Sequence, residues 1–331
     1  MTHQAPRPPG RLPPDKREQL TRARRLEWLT LALRVTVVLA LYVGLGRTQA
    51  LDAIWLKSLW SLLPPAAFLA ACRIEARQPT PRFPYGFYRA GSIAFLTAAL
   101  ALATMGLYLC WTGLRGLLHS RHPGLATFAE TGWLTWPGWP AVAALLYSIA
   151  VPLVAGRSRQ ALAIRLHDKG LYADAEMGRM SWMAGGAAVI GVLCVGLGLG
   201  RVDFVATLLI GADILRHGSR LLQTAVCDLI DEVPRRIGSA QVDPLGGRVL
   251  AYLESLDWID TARVRLREEG RLLTGVAFVA PNTEHDLVDR LERARGDIRA
   301  MDWRLLDIAL VPVADSRCRA LPDSPGRPSW I

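Results

Sequence analysis

The chain has 331 residues, of which 51% are hydrophobic and 21% are charged, and its mean hydropathy is +0.21. This balance excludes an intrinsically disordered chain. Lys and Arg number 39 against 29 Asp and Glu, so the net charge is +10. Such an excess is typical either of nucleic-acid binding or of a membrane protein with basic cytoplasmic loops. The five cysteines form no CxxC pair, and we expect buried thiols, not a disulfide framework or a zinc knuckle.

A basic, Pro-rich segment, residues 1–25, opens the chain and is predicted to be a mobile cytoplasmic tail. Six apolar runs follow, each close to the roughly 20 residues that a helix needs to cross a bilayer. They cover residues 28–46, 53–72, 91–118, 139–156, 177–200 and 204–222. Helices of a soluble core would be shorter and would alternate with polar faces. The runs therefore predict an integral membrane protein with an all-α bundle of six transmembrane helices over residues 26–224.

Basic residues are concentrated in every second connection between the runs. The tail and the connections after the second, fourth and sixth runs are rich in Arg and Lys, and Arg159 is assigned to the connection after the fourth. The other connections carry only Arg47, Arg121 and Arg201. The positive-inside rule then predicts that both termini are cytoplasmic, with the protein in the plasma (inner) membrane. Because the cations follow loop topology, we expect a lipid bilayer as partner and no nucleic acid.

The composition changes from about Asp231 onward. Helical spacing over residues 247–256 is followed by strand alternation over 261–267 and 272–280, an amphipathic helix over 285–298 and a final strand over 305–313. The order α-β-β-α-β predicts a small, two-layer, ferredoxin-like α+β domain over residues 225–315. Residues 316–331 are predicted to be a loose C-terminal tail.

Three short motifs carry a family resemblance. Residues 83–90 read Phe-Pro-Tyr-Gly-Phe-Tyr-Arg-Ala and look like a motif, HPYGxGRAE, that opens a third transmembrane helix. Residues 171–174, Leu-Tyr-Ala-Asp, resemble the xRAD that opens a fifth helix, and residues 229–234, Leu-Ile-Asp-Glu-Val-Pro, resemble an LLDEAP after a sixth. Over residues 28–313 the chain thus resembles the cation diffusion facilitator family of divalent-metal/proton antiporters.

This resemblance implies a proton-coupled cation efflux transporter with a cation and protons as its partners. It also implies that residues 225–315 are a cytoplasmic dimerisation domain, so we expect a homodimer. No resident cofactor is expected, and a divalent metal such as zinc enters only as a candidate substrate.

The resemblance also implies where a transport site would lie. The family has two Asp one turn apart on the second helix, and a His or Asp and an Asp one turn apart on the fifth. This i, i+4 spacing gives each helix one ligand face, and two such faces suit Zn²⁺. The corresponding positions here are Lys57, Ser61, Met177 and Ser181. None is an expected ligand, and a protonated lysine repels a dication. We therefore expect an atypical or non-divalent-metal central site.

Three further residues match family positions. His285 stands at a metal-ligand position of the cytoplasmic domain, although a lone His on a helix is more often an ordinary residue. Arg89 and Asp231 stand where, in the family, a basic and an acidic residue pair to lock the dimer near the inner membrane face. Arg would permit a bidentate pair. The alternative is two unrelated juxtamembrane charges.

Ionisable residues inside a bilayer are functional candidates by default. The main ones are Lys57, Asp174, Glu176 and Asp213. In the functional interpretation, Lys57 pairs with Asp213 or with a carboxylate of the fifth helix, and the pair carries protons. In the alternative, Lys57 extends to the interface and Asp213 pairs with Arg216. Asp174 and Glu176 would then face cytoplasmic water.

Three arginines, Arg34, Arg115 and Arg179, lie nearer to helix ends and are expected to extend toward the interface. No nucleophile–base set and no HExxH motif occurs, so an enzyme is not expected. Two functions remain open. One is cation efflux against protons; the other is a transport-silent relative that acts as a dimer partner, scaffold or sensor.

Overall fold

A computed structural model describes residues 12–44, 58–119, 132–135, 139–197, 200–239 and 241–320. The chain divides into two compact units. Gln19–Val226 form the first, which we call the helical unit, and Met1–Glu18 with Cys227–Ile331 form the second, which we call the C-terminal unit. The domain boundaries expected at residues 25, 224 and 315 stay predictions.

Within the described residues, six helices precede residue 230. They are α1 (Pro14–Gly44), α2 (Leu63–Glu75), α3 (Ala90–His119), α4 (Trp139–Leu166), α5 (Lys169–Gly196) and α6 (Gly200–Leu229). Among the described residues, two stretches are long and apolar enough to cross a membrane, Ala90–Leu118 and Lys169–Cys194. A bundle of six spanning helices therefore stays a prediction. Helix α1 begins at Pro14, inside the segment expected to be a tail.

Helices α4 and α5 extend well beyond the apolar runs that predicted them, and only a tight turn separates them. His167 has a left-handed backbone (φ 51°), and the N–H groups of His167 and Asp168 donate to the carbonyls of Ile164 and Ala163, which ends α4. The carboxylate of Asp168 then accepts a hydrogen bond from the N–H of Leu171 at 2.8 Å and caps α5. Residues predicted to lie in a cytoplasmic loop are therefore helical.

Helices α3 and α6 touch along a line of glycines that we call the glycine seam: Gly106 and Gly113 on α3, and Gly211 and Gly218 on α6. Each pair is seven residues apart and so lies on one helix face. A Cβ atom on Gly106 would lie 2.4 Å from the backbone nitrogen of Leu215, and one on Gly218 would lie 2.6 Å from that of Ala103. Backbone meets backbone here, as it does in many membrane helix pairs.

We expect Gly106→Ala to lower the thermal midpoint of the detergent-solubilised protein, because the backbones must separate, and overpacking of this kind costs about 1–3 kcal/mol. Gly186→Ala on α5 is the matched control. A Cβ atom there meets nothing within 4 Å, and alanine favours a helix, so its midpoint should stay level or rise. Equal thermal midpoints of Gly106→Ala and Gly186→Ala would contradict the close backbone packing of α3 against α6.

The C-terminal unit contains α7 (Leu245–Glu254), β1 (Ile259–Glu269), β2 (Leu272–Pro281), α8 (Leu287–Met301) and β3 (Leu305–Pro312). Strand β2 pairs antiparallel with β1 and parallel with β3, and α8 supplies the crossover that a parallel pair needs. Ala262, Val264 and Leu266 are buried alternately along β1, beneath both helices. The predicted small α/β domain is confirmed, with a three-stranded sheet.

A short helix, α9 (Asp315–Arg319), follows the sheet, so the segment expected to be a loose tail begins inside a helix. The Cys318 thiol is fully buried, 3.6 Å from the carbonyl oxygen of Thr261. The carboxylate of Asp315 accepts hydrogen bonds from the Thr261 hydroxyl at 2.7 Å and from Arg319 Nε at 3.0 Å. These contacts attach α9 to β1.

The hydrogen bonds from Arg319 and Thr261 hold the pKa of Asp315 below its usual value. A carboxyl group whose pKa is lower in the folded state stabilises that state above the unfolded pKa, and the contribution is lost as the pH falls through the folded pKa. We therefore expect α9 to detach below about pH 4. Cys318 labelling by dithiodipyridine, located by peptide mass spectrometry, should accelerate in that range.

The variant Asp315→Asn should label faster than the wild type already at neutral pH, since its amide cannot form the ion pair with Arg319. Asp286→Asn, at an exposed position of the same unit, serves as the control and should leave the rate unchanged. Slow labelling of Asp315→Asn would show that this carboxylate does not hold α9.

Candidate functional site

One face of α1 enters the interior of the helical unit and is polar at its centre. Ala23, Glu27, Thr30 and Arg34 are all buried, with exposed fractions of 0%, 0%, 1% and 7%. Spacings of three and four residues place these side chains on one side of a helix. The Thr30 hydroxyl donates to the carbonyl of Leu26 at 2.8 Å and so satisfies its own polar group. The two charged residues must find partners elsewhere.

Asp174, near the start of α5, is fully buried and lies between two arginines. Arg34 Nη1 donates to one carboxylate oxygen at 3.0 Å, and Arg159 Nη1 of α4 donates to the other. Arg34 also donates to the carbonyl oxygen of Ser61, just before α2. We call the three side chains the Arg–Asp–Arg bridge. It connects α1, α4 and α5 and reaches the start of α2.

The charge of the bridge decides what else can enter it. Two guanidinium groups and one carboxylate carry a net charge of +1, and Coulomb interactions are strong where water is excluded. A divalent cation approaching Asp174 would meet two fixed positive charges, and both oxygens of its carboxylate already accept hydrogen bonds. Asp174 is therefore a structural partner of arginine and is not open as a metal ligand.

Two expectations about charges, and one of the alternatives left open, are wrong. Arg34 does not extend to an interface, because the polar face of α1 turns it inward. Arg159 does not lie in a loop, because α4 continues to Leu166. Asp174 and Glu176 do not face water, as their exposed fractions are 0% and 2%. The spacing of Glu27, Thr30 and Arg34, at and just inside the start of the first apolar run, is the signal that the sequence offers for the inward face.

A second ionic group surrounds Glu176 and involves three helices. Its Oε2 lies 2.8 Å from Arg179 Nη2, one turn along α5, and 3.2 Å from His217 Nε2 of α6. The contact with Arg179 is an ion pair, whereas the contact with His217 is ionic only when the imidazole is protonated. Gln160 Nε2 of α4 donates to Oε1 at 3.5 Å. Sequence reasoning singled out neither Gln160 nor His217.

The positions at which the resemblance places metal ligands lie in different surroundings. Met177 is fully buried in an apolar cluster with residues that include Leu102, Met105 and Ile214. Ser181 is half-buried, and the Ser61 hydroxyl donates to the carbonyl of Ser58 at 2.6 Å. Lys57 lies outside the described residues. Within the part of the chain that the structure describes, no three His, Cys, Asp or Glu side chains are grouped to hold a metal ion.

The other candidates are scattered. Asp213 is exposed on α6, and His285 is exposed and lies 2.8 Å from Asp286 Oδ2. Asp231 ends α6: its φ is 64°, and the N–H of Glu232 donates to the carbonyl of Cys227, a helix stop that explains part of the motif over residues 229–234.

Asp231 also has a partner that sequence reasoning did not name. Its Oδ2 accepts a hydrogen bond from Arg267 Nη1 at 3.3 Å. Arg89 is half-buried just before α3 and lies in the helical unit, whereas Asp231 lies in the C-terminal unit. The dimer lock between Arg89 and Asp231 stays a prediction.

The comparison with protein families identifies the class of protein. The model of the cation efflux transmembrane domain matches residues 28–230, which is more than half of the chain. The chain therefore belongs to the cation efflux family of membrane transport proteins, and the resemblance read from its motifs is confirmed. No curated protein matches it by sequence.

The Arg–Asp–Arg bridge predicts a large effect of a small change. Asp174→Asn leaves two buried guanidinium groups without a counter-charge, and breaking a buried ion pair costs about 3–5 kcal/mol. We expect a clear drop in the thermal midpoint of the protein in detergent. Asp213→Asn makes the same change at an exposed position and should have little effect. A midpoint of Asp174→Asn close to the wild-type value would show that the bridge contributes little.

Proposed function

We propose that this chain is a cation efflux transporter of the cation diffusion facilitator type, that it exchanges its cation for protons, and that its central site is not a conventional divalent-metal site. In this proposal six helices span the plasma membrane, both termini are cytoplasmic, and two copies form a homodimer. The alternation of basic connections along the sequence supports the orientation. The family match supports membrane transport of a cation.

The proposal of an atypical site is based on the burial of Met177. At this position on α5 the family would supply a ligand, and the side chain here packs among apolar groups of α3, α5 and α6. A single thioether in an apolar cluster does not hold a hard or borderline dication. One turn toward the start of the helix, the carboxylate of Asp174 is already paired with two arginines.

Buried ionisable groups support the proton part of the proposal. Groups of both signs lie in the interior of the helical unit, where a change in protonation alters the balance of ion pairs strongly. The group around Glu176 combines its carboxylate with the guanidinium of Arg179 and with the imidazole of His217, whose Nε2 lies 3.2 Å from Oε2. Proton uptake at such a place would change the attraction between α5 and α6.

One observation favours the second candidate, a transport-silent relative. The Arg–Asp–Arg bridge holds three helices together at full burial, and alternating access requires helices of a transporter to move relative to one another. A protein that never cycles has no need to open such a bridge. Its role would be that of a dimer partner, scaffold or sensor.

Transport by reconstituted protein separates the two candidates. Proteoliposomes that enclose a pH-sensitive dye would be offered Na⁺, K⁺, Zn²⁺, Fe²⁺ and Mn²⁺ one at a time across an imposed pH gradient. We expect one cation to drive counter-movement of protons, and we expect no saturable flux of Zn²⁺, Fe²⁺ or Mn²⁺. Liposomes with Asp174→Asn protein should lose the activity.

The outcomes are distinct. Saturable Zn²⁺ transport that is unaffected by Asp174→Asn and Asp213→Asn would contradict the atypical site. Absence of flux for every cation, with the protein folded and dimeric by light scattering in detergent, would contradict transport and favour the silent relative. Light scattering of the same preparation also tests the proposed homodimer.

A further inference from the structure

Glu27 is the one charged side chain of the inward face of α1 that the Arg–Asp–Arg bridge leaves out. It has an exposed fraction of 0%, and neither of its carboxylate oxygens has a hydrogen-bond partner. Arg34, seven residues further along the same face, is engaged with Asp174 and with the carbonyl of Ser61. Glu27 therefore forms no hydrogen-bonded ion pair.

The surroundings of Glu27 close it off from water. One turn before it, Ala23 packs in an apolar cluster with residues that include Phe68 of α2, Ala163 of α4 and Leu171 of α5. Such a cluster excludes solvent from the cytoplasmic end of the predicted bundle. A carboxylate ion without a donor in such a place carries its full desolvation penalty, whereas a neutral carboxyl group avoids most of it.

Charged groups from α1, α4, α5 and the turn before α5 lie around Glu27. The carboxylates are Asp174 on α5 and Asp168 in the turn before it; the guanidinium groups are Arg159 on α4 and Arg34 on its own helix. Helix α2 contributes the thiol of Cys72, and α5 also contributes the phenol of Tyr172, both within the apolar cluster. The two guanidinium groups attract a negative charge on Glu27 and the two carboxylates repel it, with Asp174 the strongest of the four influences.

We propose that Glu27 is a proton-binding site inside the helical unit, with a neutral carboxyl group at neutral pH. When Glu27 releases its proton to water, the new carboxylate attracts a guanidinium group of the Arg–Asp–Arg bridge. Asp174 then loses one of its two partners, and the contact of α1 and α4 with α5 weakens. Proton binding at Glu27 is thereby coupled to the arrangement of three helices. That this proton is the one exchanged for the cation rests on the proposed function.

The protonation state is measured directly by infrared difference spectroscopy of the purified full-length protein in detergent, titrated from acidic to alkaline pH. We expect the carbonyl stretch of a neutral carboxyl group to persist at neutral pH, to disappear at alkaline pH and to be missing from Glu27→Gln. Glu292→Gln, which changes an exposed glutamate of α8, should keep the wild-type band. A spectrum of Glu27→Gln identical to that of the wild type at every pH would overturn the proposal.

Stability provides a second measurement. Glutamine resembles a neutral glutamic acid in charge and shape, so Glu27→Gln should shift the thermal midpoint much less than Asp174→Asn does. An equal loss in the two variants would mean that Glu27 is an ionised partner of arginine and would overturn the proposal. Glu27→Asp keeps the carboxyl group and should shift the frequency of the band, which preserves the spectroscopic test if Glu27→Gln folds poorly.

The titration needs no cation gradient, so it separates this inference from the proposed function. If the Glu27 band titrates but the protein transports no cation, the proton site is supported and the transporter proposal is contradicted. If the protein transports a cation but the Glu27 band does not titrate, the transporter proposal is supported and the proton site is contradicted. Transport whose dependence on pH is unchanged in Glu27→Gln, together with a band that titrates, would remove only the step that makes this proton the coupling ion.

Discussion

The interior of the helical unit is organised by one carboxylate that two arginines share. Asp174 has no contact with water, and its two oxygens accept hydrogen bonds from helices that are far apart in sequence. Removing charges from water is costly, and the cost is recovered only where geometry and hydrogen bonding are good. The direction of the buried face of α1, the inward position of Arg159 and the early start of α5 are all needed for this contact.

The same interaction distinguishes the interior of this chain from the dication site that its family would place there. Members of the cation efflux family move cations, and a site for a dication needs several oxygen, nitrogen or sulfur ligands with free lone pairs. Here the buried negative charge near the start of α5 is neutralised by the protein's own cations, and Met177, one turn later, lies in apolar packing. The chain has the fold-level signature of the family, and its interior has the chemistry of arginine and carboxylate pairs.

The sequence predicted most of the secondary structure but little of the site. Strand alternation and turn residues place β1, β2 and β3 within a few residues of their observed ends, because burial on one face of a sheet imposes a period of two. Apolar runs located α3 almost completely, with 91–118 predicted against Ala90–His119 observed. They failed at α4 and α5, whose amphipathic ends continue past the apolar stretch and are completed by a turn that only backbone geometry reveals.

The site could not be read in the same way. Asp174 was singled out as an ionisable group at the predicted membrane, but its partner Arg34 is 140 positions away, and a single sequence contains no information on pairs at that distance. Arg159 was counted with loop cations because it follows the end of an apolar run. The inward direction of Glu27 depends on which face of α1 packs, and this is decided by helices that the sequence does not place.

The glycine seam has a mechanical consequence. Where two helices meet main chain to main chain over several turns, neither can rotate about its own axis without steric overlap, so we expect α3 and α6 to move together. The remaining helices are held by side chains, through the Arg–Asp–Arg bridge and the apolar clusters, so we expect larger rearrangements of the helical unit to occur there. Small residues thus set how closely α3 and α6 pack, and this close packing limits how far the two helices can move relative to one another.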